Sequence, residues 1–125
     1  MIRQKIPKSK KKAQASLSKM FRLQKEFQAR FYDFNKMQPF ELVEYQRLML
    51  TCIIVESTEA LDWLNWKPWK KTKEPFDRYE FINELVDIQH FLINVVLSTN
   101  CSSVEFGQLF ANKHLENINR QKRGY

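Results

Sequence analysis

At 125 residues, with two glycines and four prolines, the chain has the length of one domain and too few turn formers for a strand-rich fold. Its two cysteines, Cys52 and Cys101, exclude a disulfide framework and lack metal-ligand spacing, as expected of reduced thiols in a cytoplasmic protein. The net charge of +7 is mostly local: Arg3, Lys5, Lys8, Lys10, Lys11 and Lys12 stand in an acid-free segment, and without them the balance is +1.

That basic segment, residues 1–15, reads as a disordered, solvated tail that attracts nucleic acid weakly and non-specifically. It has no apolar stretch of a secretory signal, and no apolar run reaches the roughly 18 residues of a membrane span. Residues 16–125 form the expected folded domain.

Four helices follow in order. The first is expected from about Ser16 to Lys36, on the recurrence of Leu17, Met20, Phe21, Phe27, Phe31 and Phe34. The second opens at Pro39, a residue suited to the first helical position, with Glu41 and Glu44 near the positive helix end. It carries a stripe through Leu42, Met49, Cys52, Ile53, Ala60 and Trp63, is apolar almost all round from Leu48 to Val55, and is expected to be central. Residues 65–76, with two prolines and four lysines, form a loop. Asp77 with Glu80 predicts a capping box opening helix three, and Ser102 with Glu105 another opening helix four. The fold class is therefore all-α, an antiparallel four-helix bundle.

Two carboxylate pairs dominate this pattern, Glu56-Ser-Thr-Glu59 and Glu84-Leu-Val-Asp87. The i, i+3 spacing puts both acids of a pair on one helix face, and both faces are in phase with the apolar stripe. Such pairs also occur on ordinary amphipathic surfaces, but two on helices joined by a short loop point to a common cage. Clustered carboxylates are tolerable when a cation sits among them, and an oxygen-only donor set suits Mg²⁺. Such a site serves phosphate chemistry, with one carboxylate, Glu56 by preference, taking a water proton as general base. Cations for the phosphates are available on the last helix: Lys113, Arg120, Lys122 and Arg123, beside Asn117 and Asn119. They also fit a solvated helix end favoured by the dipole.

Lys113-x-x-x-Asn117-x-x-Arg120-Gln121-x-x-Gly124-Tyr125 resembles the closing signature of the all-α dimeric dUTPases, a branch of the MazG-like nucleoside triphosphate pyrophosphohydrolases. The acidic pairs resemble that superfamily's E-x-x-E and E-x-x-D, Asp87-Ile-Gln-His90-Phe91 its D-I-x-H-F, and Trp66-Lys67-Pro68-Trp69-Lys70 its aromatic-lysine segment.

The resemblance implies Mg²⁺ on Glu56, Glu59, Glu84 and Asp87, with Glu56 and Glu59 catalytic. It implies Lys113, Asn117, Arg120, Tyr125 and Lys70 on phosphate, and Gln24, Gln28 and Trp66 on the base. The implied reaction is attack of water on the α-phosphate of dUTP, giving dUMP and pyrophosphate, in a homodimer with active sites near the subunit interface. Family members pair a Gln and an Asn on the first helix to read uracil; here Gln24 is followed by Gln28, and Pro68 stands where relatives often carry an aromatic. A dCTP-directed or broad-specificity pyrophosphohydrolase keeps the same chemistry. From other classes come a basic nucleic-acid-binding module and a di-iron bundle, the latter needing two Glu-x-x-His motifs where this chain has one Asp-x-x-His.

Overall fold

A computed structural model describes residues 14–124; most of the basic tail, and Tyr125, lie outside these. The described chain is all-helical: α1 (Leu17–Gln28), α2 (Pro39–Asp62), α3 (Arg78–Ser98) and α4 (Ser103–Lys122), with no strand.

The helix starts follow the sequence signals. Ser16, Asp77 and Ser102 each accept a hydrogen bond from the backbone N–H three residues on, satisfying an otherwise orphaned donor, and Pro39 opens α2.

The first helix is shorter than its aromatic spacing predicts. It stops at Gln28, and an Asx turn follows in which the Asp33 carboxylate accepts from the Asn35 N–H at 3.1 Å. Phe34, counted towards a helical stripe, instead folds onto Tyr45 of α2 with ring centroids 5.0 Å apart, and Tyr32 joins it there at 4.7 Å. The aromatics pin a loop rather than prolong a helix.

Nor is α2 the central helix. That place belongs to α3, which packs along α2 on one side and against α1 on the other. By length and composition alone α3 is long and apolar enough to cross a membrane, and 17% of its most apolar window is buried in the single chain. The second apolar face of α2 explains the mistaken centrality: Val43, Leu50, Ile54 and Leu61 form a stripe at helical spacing that is exposed in the single chain. The buried apolar core is small, comprising Phe21, Tyr45, Met49, Ala60 and Ile93.

The fourth helix joins through α1, where Phe21 meets Phe106 at 5.9 Å. Beyond that contact it is largely exposed, including Phe110 and Leu115.

Candidate metal centre and its surroundings

Antiparallel packing of α2 on α3 brings the two acidic motifs to one level of the bundle. Glu56, Glu84 and Asp87 each offer a carboxylate oxygen within 4.8 Å of the others. Glu56 and Glu84 are half-buried between the helices, while Asp87 is exposed at the rim. Glu59, one turn further along α2, is exposed and outside the three-oxygen group, although its charge bears on both Glu56 and Glu84.

The site is electrostatically uncompensated. Glu56 Oε2 is buried without a hydrogen-bond partner. Interaction with the Glu84 carboxylate, burial, and the neighbouring Glu59 and Asp87 together push Glu56 up to about 7. Glu84 is raised as well, chiefly by burial and then by its interactions with Glu59 and Asp87, while its bond with Glu56 pulls the other way. A buried oxygen with no donor, among like charges, is what a hard cation would satisfy. The donor set fits Mg²⁺ on chemistry: three carboxylate oxygens and no nitrogen or sulfur. His90 turns its Nδ1 to the Val86 carbonyl of its own helix at 2.8 Å and is not among these donors.

The loop that follows α2 lies close by. Glu56 and Asp62 are six residues apart, so the helix ends about 9 Å beyond the acidic cluster. There, a hollow of ≈ 250 Å³ is lined by Asp62, Trp63, Trp66, Lys67, Lys70 and Glu74, among others. Trp66 and Trp69 meet edge-on at 5.7 Å, and both are exposed rather than packed in the core. Lys67 sits over the Trp66 ring at 5.9 Å, and the Trp66 indole N–H donates to Asp62 at 3.2 Å.

The first-helix glutamines are engaged internally. Gln24 donates to Asn94 at 2.8 Å, and the buried Gln28 accepts from the Tyr45 hydroxyl at 2.7 Å. Asn94, only 3% exposed, also approaches the Met49 sulfur at 3.6 Å. Sequence reasoning missed Asn94. The available signal was a lone amide inside the apolar run Phe91-Leu-Ile-Asn94-Val-Val.

The fourth-helix cations Lys113 and Arg120 meet an acid of their own helix. Lys113 and Arg120 both grip Glu116, at 3.2 and 2.6 Å, and hold its carboxyl below the ordinary range, Lys113 contributing first. Asn117 is exposed on the same helix. Tyr125 lies outside the described residues.

A family model described as dUTPase matches residues 16–109, which takes in α1, α2, α3, the lysine loop and both acidic motifs. The segment carrying Lys113, Asn117 and Arg120 lies beyond the matched residues. Comparison with curated proteins and with solved structures gives no match. The match covers well over half of the chain, the helical architecture agrees with it, and the chain therefore belongs to the all-α dUTPase family, hydrolases of nucleoside triphosphates.

Proposed function

We propose that this protein hydrolyses dUTP to dUMP and pyrophosphate at the acidic cluster, with Mg²⁺ held by Glu56, Glu84 and Asp87. The observation that carries this reading is the convergence of those three oxygens within 4.8 Å beside the unsatisfied Glu56 Oε2. The chemistry a divalent ion brings to such a site is neutralisation of polyphosphate charge and acidification of water.

The protein's own contribution is positioning and charge. Glu59 faces solvent one turn from Glu56 and lies outside the cluster, so it is assigned the proton released by attacking water. Glu56, favoured for that role on sequence grounds, stands within the three-oxygen group and is assigned to hold the ion. Lys70 and the exposed Trp66 provide a cation and a stacking face for the substrate just past the end of α2. Gln24, with Asn94 behind it, and Gln28, fixed by Tyr45, are assigned to the base. Lys113, Asn117 and Arg120 are assigned to the phosphate chain; for Lys113 and Arg120 this requires phosphate oxygens to replace Glu116.

The assembly we assign is a homodimer. Val43, Leu50, Ile54 and Leu61 leave an apolar stripe on α2, with Ile54 67% exposed, and such faces are ordinarily covered by a second chain.

Pyrophosphate release across dUTP, dCTP, dATP and dGTP with Mg²⁺ tests the reading. Fastest release from dUTP is the expected result. Equal rates on all bases favour the broad-specificity alternative, and no release from any of them rejects the function.

A further inference from the structure

The loop between α2 and α3 is closed by a single side chain. Asn65 Nδ2 donates to the Glu74 carbonyl at 2.8 Å, and Asn65 Oδ1 accepts from the Glu74 N–H at 3.0 Å. One amide thus grips both polar groups of a residue nine positions away, the geometry of a paired backbone bridge made by a side chain. Asn65 holds φ at +49°, a left-handed conformation that asparagine tolerates better than most residues, so the turn ending α2 and the clamp are set by the same residue.

Within the segment enclosed by this clamp, Trp66 is tied back to Asp62 at 3.2 Å and meets Trp69 edge-on, and the other ties are made by its lysines. Lys73 Nζ donates to the Lys67 carbonyl at 2.9 Å, and the Lys70 N–H donates to the same carbonyl at 3.2 Å. Its side chains are largely exposed, and no residue between Trp66 and Glu74 belongs to the buried core. A loop of this length with four lysines pays conformational entropy and charge repulsion when it closes. The paired bond to Glu74 offsets that cost and gives Trp66, Lys67 and Lys70 a fixed place around the hollow.

We propose that Asn65 is a positioning residue for substrate: by clamping the Glu74 peptide it presents Trp66 and Lys70 to a nucleoside triphosphate whose phosphates lie at the acidic cluster. This inference rests on the function proposed above. Asn65 itself makes no contact with the reacting atoms in this account. Its loss is felt in substrate capture and leaves the chemical step in place.

Two substitutions separate the clamp from the turn. Asn65→Gly keeps the left-handed backbone and removes both bonds, whereas Asn65→Asp keeps the acceptor and loses the donor. Steady-state pyrophosphate release from dUTP at saturating Mg²⁺ is read beside limited trypsin digestion at the loop lysines. Asn65→Gly is expected to raise KM about tenfold with kcat held within about twofold, Asn65→Asp to fall between it and wild type, and loop cleavage to accelerate in the same order. A wild-type KM in Asn65→Gly overturns the inference whether or not the loop is cut faster, since the clamp is then at most structural. Unchanged cleavage overturns it from the other side. A wild-type protein that releases no pyrophosphate from any nucleoside triphosphate rejects the functional reading itself, and this inference falls with it.

Discussion

Glu56 of α2 and Glu84 of α3 meet across the helix interface with carboxylate oxygens within 4.8 Å of each other, and Glu56 Oε2 is buried there without a hydrogen-bond partner. Two acids at a packed interface cost stability unless their charge is answered. Their proximity is intelligible as a site kept for a cation.

Removing a carboxylate from the cluster should separate activity from folding. Glu84→Gln and Asp87→Asn are expected to lower dUTP turnover at least about a hundredfold. Above about pH 7, where Glu56 is ionised, the metal-free melting temperature should not fall, because each change relieves like-charge repulsion. Glu59→Gln should lose turnover while retaining Mg²⁺ binding, since Glu59 stands outside the three-oxygen group. Assays of pyrophosphate release beside thermal melts check both halves, and near-normal turnover in the three variants contradicts the assignment.

The pH dependence of stability has a definite sign. Glu56 is raised from the ordinary 4.5 to about 7 in the folded chain, so the native state holds a proton that the unfolded state has released. Its contribution is complete below the ordinary glutamate value and is lost as pH rises through about 7. The metal-free Tm should therefore decline over that interval and then level. Mg²⁺ competes with the Glu56 proton, so its stabilising effect should be larger at about pH 8 than at about pH 5. Melts in chelator and in Mg²⁺ across this range test both trends; Glu56→Gln should flatten the metal-free decline.

The polar contacts behind the first helix can be probed at Tyr45. Tyr45→Phe leaves the buried Gln28 carbonyl oxygen without its 2.7 Å donor and should cost about 1–3 kcal/mol in urea unfolding. If Gln28 is held for base reading, the same change should narrow the preference for dUTP over dCTP. A stability loss with an unaltered preference would restrict Gln28 to packing.

Charge placed on the bare face of α2 should dissociate the assembly. Ile54→Lys, at a position 67% exposed in the single chain, cannot destabilise the monomer through loss of core packing. It should instead shift the species seen by sedimentation from dimer to monomer. A wild-type protein that sediments as a monomer at micromolar concentration contradicts the dimer.

Much of this arrangement was legible in the chain because its signals are local. Pro39, the Asp77 and Ser102 caps and the helical spacing of apolar residues act within one or two turns, and all mark helix starts that the structure keeps. The acidic motifs were legible for the same reason, and the short loop between α2 and α3 made their convergence foreseeable. What escaped depends on partners far along the chain. Phe34 reads as helix until Tyr45 is seen beside it, Asn94 reads as an interruption until Gln24 meets it, and Asn65 reads as an ordinary turn residue until Glu74 closes on it. The apolar girth of α2 suggests centrality because a sequence does not distinguish a face covered by its own chain from one left exposed, as Val43, Leu50, Ile54 and Leu61 are.

Calorimetric titration of the metal-free protein with Mg²⁺ at about pH 8, wild type against Glu84→Gln, tests the central claim most directly. Saturable binding to wild type is expected, weakened at least about tenfold by the substitution, with proton release on binding appearing at about pH 6, where Glu56 still holds its proton, and small at about pH 8. Equal affinity in the two proteins, or no binding to wild type, would contradict it.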